Sequence, residues 1–349
     1  MRPNLYDISW KVTEPEYRDD PALSYSTLAR FAREGFNKLD SLFDKVDTPS
    51  LTFGSAVDAL ITGGQEEFDA NFIVAEFPPI SDNLQTIAKV LFDTYSQTYR
   101  NIDEISDDVL AQVGADNNFY ANDKYKNYRV KLIKEGCQEY YNIMYAAQGK
   151  KILDSETKNQ VDAAVRALKE SESTKFYFAP NDPFDDSVQR FYQLKFKATF
   201  LGIDYRCMSD LIVVDHKNKT IQPIDLKTSS HTEWDFYKSF TQWRYDIQAR
   251  LYWRIIKFNL NLHDEFKEYT LLPYKFIVVN RQTLTPLVWD YEDTDVPGTL
   301  VYGKNKQFEF KDPFELGREL TIYLSSRPTV PCGIKVTEGN SLTNWLNTL

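Results

Sequence analysis

The sequence predicts a mixed α+β or α/β fold, in which helices flank a partly antiparallel sheet. Three observations carry that expectation. Residues 83–172 are largely helical in pattern, strand-like alternation takes over from Gln189, and one long helical run separates the first strands from the last.

The elements follow in order. Leu23-Ser24-Tyr25-Ser26 precedes an amphipathic run over 27–43, with Ser24 or Ser26 as its N-cap. Residues 51–61 (LTFGSAVDALI) read as a short, mostly buried helix. Helices are expected over 84–99, 125–148 and 154–171, the last with Val161, Ala164, Val165 and Leu168 on one face. The acidic stretch 101–122 reads as a loop with a short helix. Asn181-Asp182-Pro183 breaks the helical pattern. Strands are expected over 193–200, 203–215 and 220–228, joined by turns at Leu201-Gly202 and His216-Lys217-Asn218-Lys219. A single helix over 234–258, strands over 274–280 and 286–291, and a helix over 313–326 complete the set. The chain thus divides into N-terminal helices (1–80), a helical insertion (81–180), a core (181–330) and an irregular tail (331–349).

Composition sets further bounds. Hydrophobic residues make up 42% of the 349 residues, enough for a sizeable core. Cys137, Cys207 and Cys332 are far apart and form no CxxC pair, so they cannot supply a four-thiolate centre, and a reducing compartment suits them best. The N-terminus shows no secretory signal and no run is long enough to span a membrane, so a cytoplasmic protein is expected. The net charge of −10 weighs against a protein that coats nucleic acid through nonspecific phosphate contacts. A local basic groove remains compatible with it. Residues 124–134 (KYKNYRVKLIK) and the Arg244 helix are the candidates, and the first reads better as a solvated helix face.

The hairpin around Lys217-Asn218 concentrates the chemistry. A turn symmetric about that pair sets Asp215 opposite Thr220 and, counting back, Asp210 opposite Asp225. Directly opposed side chains lie about 4.5–5.5 Å apart at Cβ. Two carboxylates so placed repel. A divalent cation turns that cost into a binding site, because hard cations prefer carboxylate oxygens. Lys227 is two residues beyond Asp225 and projects from the same face. Asp225-Leu226-Lys227 therefore offers a metal ligand, the Leu226 carbonyl as a further ligand, and an ammonium beside them. Phosphodiester hydrolysis needs these parts: a cation to acidify water and stabilise charge on phosphate, and a lysine to offset developing charge. The D-x-K triplet also occurs on ordinary surface hairpins as an ion pair. Here it sits among Ile224, Leu226 and the apolar run 211–214, where charges are costly unless paired or liganded, and that setting favours a site.

Neighbouring residues extend this set with readings left open. Pairing Phe200 with Ile203 sets Gln193 opposite Asp210, either bordering the site or as a polar edge residue. On the following helix, Phe240, Trp243, Ile247, Leu251 and Ile255 have core spacing, and Arg244, Gln248 and Tyr252 share an adjacent stripe. That stripe is either a polar margin or a set of groups for DNA phosphate and for Lys227. Asp58, in Gly54-Ser55-Ala56-Val57-Asp58-Ala59-Leu60, is either a metal ligand or a hydrogen-bonded structural acid.

Ser209-Asp210, Asp225-Leu226-Lys227 and Gln248-x-x-x-Tyr252 together resemble the RecB-like branch of the PD-(D/E)XK nuclease superfamily. Order and spacing look like the phage and prophage exonucleases of the RecE (exonuclease VIII) type, and 244–252 (RYDIQARLY) is especially similar to their arginine-tyrosine, glutamine and tyrosine helix. Leu23-Ser24-Tyr25-Ser26 and the glycine helix around Gly54 resemble the N-terminal motifs of that family. The resemblance implies a restriction-endonuclease-like αβββαβ core and hydrolysis with one or two Mg²⁺ or Mn²⁺ ions. It implies Asp210, Asp225 and the Leu226 carbonyl as ligands, with Asp58 where many relatives carry histidine. Lys227 would be the catalytic lysine, with Gln248 and Tyr252 supporting it. Ser26, Arg244, Gln248 and Tyr252 would meet DNA.

The function expected is a metal-dependent DNA exonuclease of phage-type recombination or replication. Its expected partners are DNA, a single-strand annealing or other recombination or replication protein, and further copies of itself, with no membrane. The alternatives are an endonuclease or flap or junction nuclease of the same superfamily, and a catalytically silent DNA-binding or assembly protein with this fold.

Overall fold

A computed structural model describes residues 2–43, 48–291, 299–302 and 306–326. The chain divides into two compact units, Met1–Thr48 with Ala164–Leu349, and Pro49–Ala163.

The first unit is α+β. Its helix α1 (Tyr25–Glu34) is capped by Ser24, whose Oγ accepts the Thr27 N–H. Ser26 is exposed, with its hydroxyl 2.9 Å from that of Ser24. The main sheet runs in the order β1 (Val188–Phe200), β2 (Ile203–Asp215), β3 (Thr220–Ser229), β4 (Tyr274–Asn280), β5 (Pro286–Tyr291), and the short strand Thr270–Leu271 also pairs with β3. Pairing is antiparallel except between β3 and its neighbours β4 and Thr270–Leu271, so the sheet is mixed. Parallel neighbours require a crossover. Two helices, α2 (Phe236–Trp243) and α3 (Tyr245–Asn261), lie within it, and α4 (Pro313–Ser326) follows the sheet.

Turn chemistry fixes the registers. Leu201 and Gly202 both have positive φ, as a tight two-residue hairpin requires, and Phe200 pairs with Ile203. At the second turn the Asp215 carboxylate accepts the N–H groups of Lys217 and Asn218, both at 2.9 Å, and Asp215 pairs with Thr220. Both registers match those expected.

Helix α3 packs across β1, β2 and β4, and α1 and α4 pack against it. Phe196, Cys207, Ile212, Ile247, Leu251, Ile255 and Phe276 belong to this buried core. The single helix expected over 234–258 is instead two, broken at Arg244, which is left-handed with φ 59° and ψ 47°. Trp234 precedes the first helical turn and is exposed. Trp243, expected in the core, is 44% exposed because α2 ends there.

The second unit is mainly helical. It contains Pro49–Thr62, Gly64–Asn71, Asp82–Tyr95, Asp107–Asp116 and Lys126–Ala147, with a parallel pair of strands, Phe72–Val74 and Lys151–Leu153. Ile87, Leu91, Leu110, Ile133 and Tyr141 lie in its core. The stretch read as mostly loop holds the ten-residue helix Asp107–Asp116, capped by Ser106. Its narrow stripe of Leu110, Ala111 and Gly114 is buried, and the acidic residues around it hide that stripe in the sequence. The expected tail, with Cys332, lies outside the described residues. Among the described residues no helix is long and apolar enough to cross a membrane.

Candidate active site

The site forms where two strands part. Pairing of β2 with β3 runs from Asp215–Thr220 to Leu211–Ile224 and stops. Asp210 and Asp225 are the next opposed positions. Beyond them β3 continues pairing with β4, from Ile224–Lys275 to Ser229–Asn280. The Leu226 N–H is satisfied at the fork by Asp210 Oδ2, at 2.9 Å. A carboxylate thus takes the place of a strand carbonyl where the strands of the two acids part.

Asp225 is 1% exposed. Gln248 on α3 donates its Nε2 proton to Asp225 Oδ1. That bond assigns the amide orientation, since the reverse would set two acceptors together. Lys227 places Nζ 2.6 Å from Asp225 Oδ2, and its ammonium lies 4.8 Å from the centre of the Tyr245 ring. Burial alone would lower the lysine pKa, but the negative field of Asp225, then Tyr245 and Asp210, outweighs it and holds Lys227 above the ordinary lysine range. The ammonium therefore stays charged.

A layer of tyrosines backs the carboxylates. Tyr252 is buried and edge-on to Tyr25 and Tyr274. The Tyr25 hydroxyl donates to the Trp243 carbonyl at 2.8 Å. Burial, then neighbouring tyrosine, cysteine and carboxylate groups, raise the Tyr252 hydroxyl well above its usual pKa, so it remains protonated. The sequence reading missed Tyr17, Tyr245 and Tyr274. Tyr245 stands inside the motif 244–252, and alternation from Phe276 sets Tyr274 on an inward face. The register of β4 against β3, which would have joined Tyr274 to Asp225, has no turn to announce it.

The remaining candidates divide. Gln193 lies opposite Asp210 as expected, but it adopts φ 54° and drops out of the pairing between Tyr192–Leu211 and Leu194–Ser209. Arg244 is buried and bound by Asp246 through Nε at 3.0 Å and Nη2 at 2.8 Å, so its guanidinium already serves a carboxylate. Gln248 and Tyr252 are buried beneath the site rather than offered on its surface. Asp58 belongs to the second unit, on Pro49–Thr62, where it is half-buried and its carbonyl accepts the Thr62 hydroxyl. In 124–134, Lys126, Lys134 and Lys131 pair with Asp108, Asp107 and Glu135, as a solvated helix face does.

Among the described residues, no three His, Cys, Asp or Glu side chains cluster as a metal site. The fit to a cation rests on oxygens. Asp225 Oδ2 has the Lys227 ammonium beside it but no aligned hydrogen bond, and Gln248 Oε1 is buried without one. These are the hard donors that Mg²⁺ or Mn²⁺ takes, and the residues fit.

No family model matches the chain. No curated protein matches it either. Among solved structures the chain is similar to one from Eubacterium rectale described provisionally as an exonuclease. The TM-score is 0.42 at 13% identity, over 97% of this chain and 100% of that one.

Proposed function

We propose that this chain is a metal-dependent deoxyribonuclease acting as an exonuclease in phage-type recombination or replication. The observation that carries the reading is the fork at Asp210 and Asp225, with the Lys227 ammonium 2.6 Å from the second acid. Buried acids converging on one point in a sheet are costly without a cation, and the Asp225–Lys227 pair supplies a protein one.

Asp210 and Asp225, with the Leu226 carbonyl, would hold Mg²⁺ or Mn²⁺. When bound, the ion supplies Lewis-acid chemistry towards a phosphodiester. Gln248 fixes the rotamer of Asp225 by donating to Oδ1. Lys227, kept charged, offsets negative charge on the scissile phosphate. Tyr252, packed edge-on against Tyr25 and Tyr274, holds α3 and its glutamine in place. Ser26 and Arg244 as DNA contacts belong to the same proposal, although Arg244 must first exchange Asp246 for phosphate. DNA, a single-strand annealing or replication protein, and copies of the chain are the proposed partners, in the cytoplasm of a bacterium or phage-infected cell.

The test is a digestion series on linear, closed circular and single-stranded DNA, with Mn²⁺ and with chelator. Loss of linear DNA from its ends, sparing of the circle, and arrest by chelator are expected. Asp225→Ala and Lys227→Ala should each lower the rate by about 10²–10³-fold, the scale of one lost transition-state contact. Intact linear DNA with Mn²⁺ sinks the reading, and nicked circles would favour the endonuclease alternative.

A further inference from the structure

The second unit carries an exposed aromatic surface that nuclease chemistry does not use. Tyr120, Tyr125 and Tyr128 are 43%, 41% and 50% exposed. Tyr120 is the hub. Its ring lies edge-on to Tyr128, 5.2 Å between centres, and to Tyr125 at 5.9 Å. Phe119, which is buried, meets the same ring edge-on at 5.0 Å. Tyr125 closes the turn Asp123–Tyr125, and Tyr128 stands on the first turn of the helix Lys126–Ala147.

The loop that presents Tyr120 is held there against its own preference. Asn118 has φ 57° and Tyr120 φ 46°. Asparagine tolerates the left-handed region, but a bulky aromatic residue enters it only when its surroundings compel it. Arg129, 2% exposed, does so by donating from Nη1 to the Tyr120 carbonyl. Its stem has room because residue 114 is glycine, where a Cβ would come within 2.7 Å of Arg129 Cδ. A buried arginine and a strained loop thus hold a tyrosine ring in solvent. Rigid tyrosines so displayed are typical of protein interfaces.

Charge selects the occupant. Pro49–Ala163 holds 18 acidic and 10 basic side chains. Asp123, beside the rings, is exposed, whereas Lys126 and Lys131 are already paired with Asp108 and Glu135. A phosphate-bearing strand would meet a repelling field with those lysines engaged. A cation is welcome on the rings themselves: the Lys124 ammonium lies 4.7 Å from the centre of Tyr125. A guanidinium can stack on such a face and bind a carboxylate at its edge. We infer that Tyr120, Tyr125 and Tyr128 form a docking surface for a basic protein segment, with arginine stacked on the tyrosines. This surface lies within the second unit and stands whether or not the chain cuts DNA.

The probe is a fluorescein-labelled Gly-Ser-Arg repeat peptide, titrated with the full chain and followed by anisotropy at about 0.15 M salt. Its lysine and glutamate counterparts and an oligothymidylate of equal length run beside it. The arginine peptide should bind, the lysine peptide about 2–5-fold more weakly, and the glutamate peptide and oligothymidylate not measurably. The double variant Tyr125→Ala/Tyr128→Ala removes two exposed rings and should weaken the arginine peptide about tenfold. Tyr128→Phe keeps the ring and should bind as the parent does. Unchanged binding by the double variant overturns the proposal, because a peptide held by net charge alone ignores the tyrosines. Equal binding of the lysine peptide overturns the stacking, and tighter binding of oligothymidylate makes the surface a single-strand site instead. Sedimentation should show no self-association through this face. A dimer that the double variant dissolves would make the occupant a second copy of the chain and overturn the proposal too.

Discussion

Arg244 and Asp246 are buried together, and neither charge is tolerable there alone. The pair also holds Arg244 in a left-handed conformation that a non-glycine residue adopts only when its surroundings compel it. Asp246→Ala should therefore destabilise the protein by about 3–5 kcal/mol, read from the denaturant midpoint, since it leaves a guanidinium without its carboxylate. A loss below about 1 kcal/mol would show that other contacts carry the arginine. His216 makes a second test at this scale. Its ring nitrogens meet Tyr269 at 2.6 Å and Gln189 at 2.9 Å. Burial, then Arg2, lower its pKa below the ordinary 6.5. The unfolded chain therefore takes up the proton first. The stabilisation is complete above about pH 6.5 and is lost as pH falls through the folded value. Unfolding free energy should drop between about pH 7 and pH 5, and His216→Gln should flatten that slope. An identical slope in the variant rules this residue out as its source. The placement of Asp210, Asp225 and Lys227 beside the fork was legible in sequence because each lies a countable distance from a turn. The burial of Gln248 and Tyr252 was legible only as a stripe, since spacing does not say which margin of a helix turns inward.

At the scale of elements, α4 meets β2 through a glycine. A Cβ on Gly317 would overlap the ring and hydroxyl of Tyr205, which is fully buried and cannot swing away. Gly317→Ala should cost about 1–3 kcal/mol by overpacking, measured by thermal or denaturant unfolding. An equally stable variant would mean that α4 shifts freely. Strands were the best-read elements, because positive φ at Leu201-Gly202 and the Asp215 side-chain turn set both registers locally. The break at Arg244 was hidden for an equally local reason. Phe240, Ile247, Leu251 and Ile255 keep an apolar stripe through it, and all four are buried, so periodicity runs on where the backbone does not.

For the whole molecule, charge divides unevenly. Pro49–Ala163 carries 18 acidic and 10 basic side chains, a difference of −8 out of the chain's −10. Such a unit repels phosphate, which argues against a helical clamp on DNA and for a structural or protein-binding role. Its own core should be testable apart from the site. Leu91 is fully buried within it, so Leu91→Ala should cost about 2–5 kcal/mol in that unit's unfolding, followed by hydrogen exchange over 82–147. Unchanged exchange protection there would refute an independent core.

The sequence by itself determined the β-meander, its two registers and the meeting of two acids with a lysine, because each depends on side-chain alternation counted from a nearby turn. The tertiary structure decided which groups surround that meeting point. Tyr17 and Tyr274 arrive from distant segments, and Arg244 is bound by Asp246 instead of facing outward. Contacts between remote segments are set by packing and by pairing across a crossover, for which no local periodicity exists.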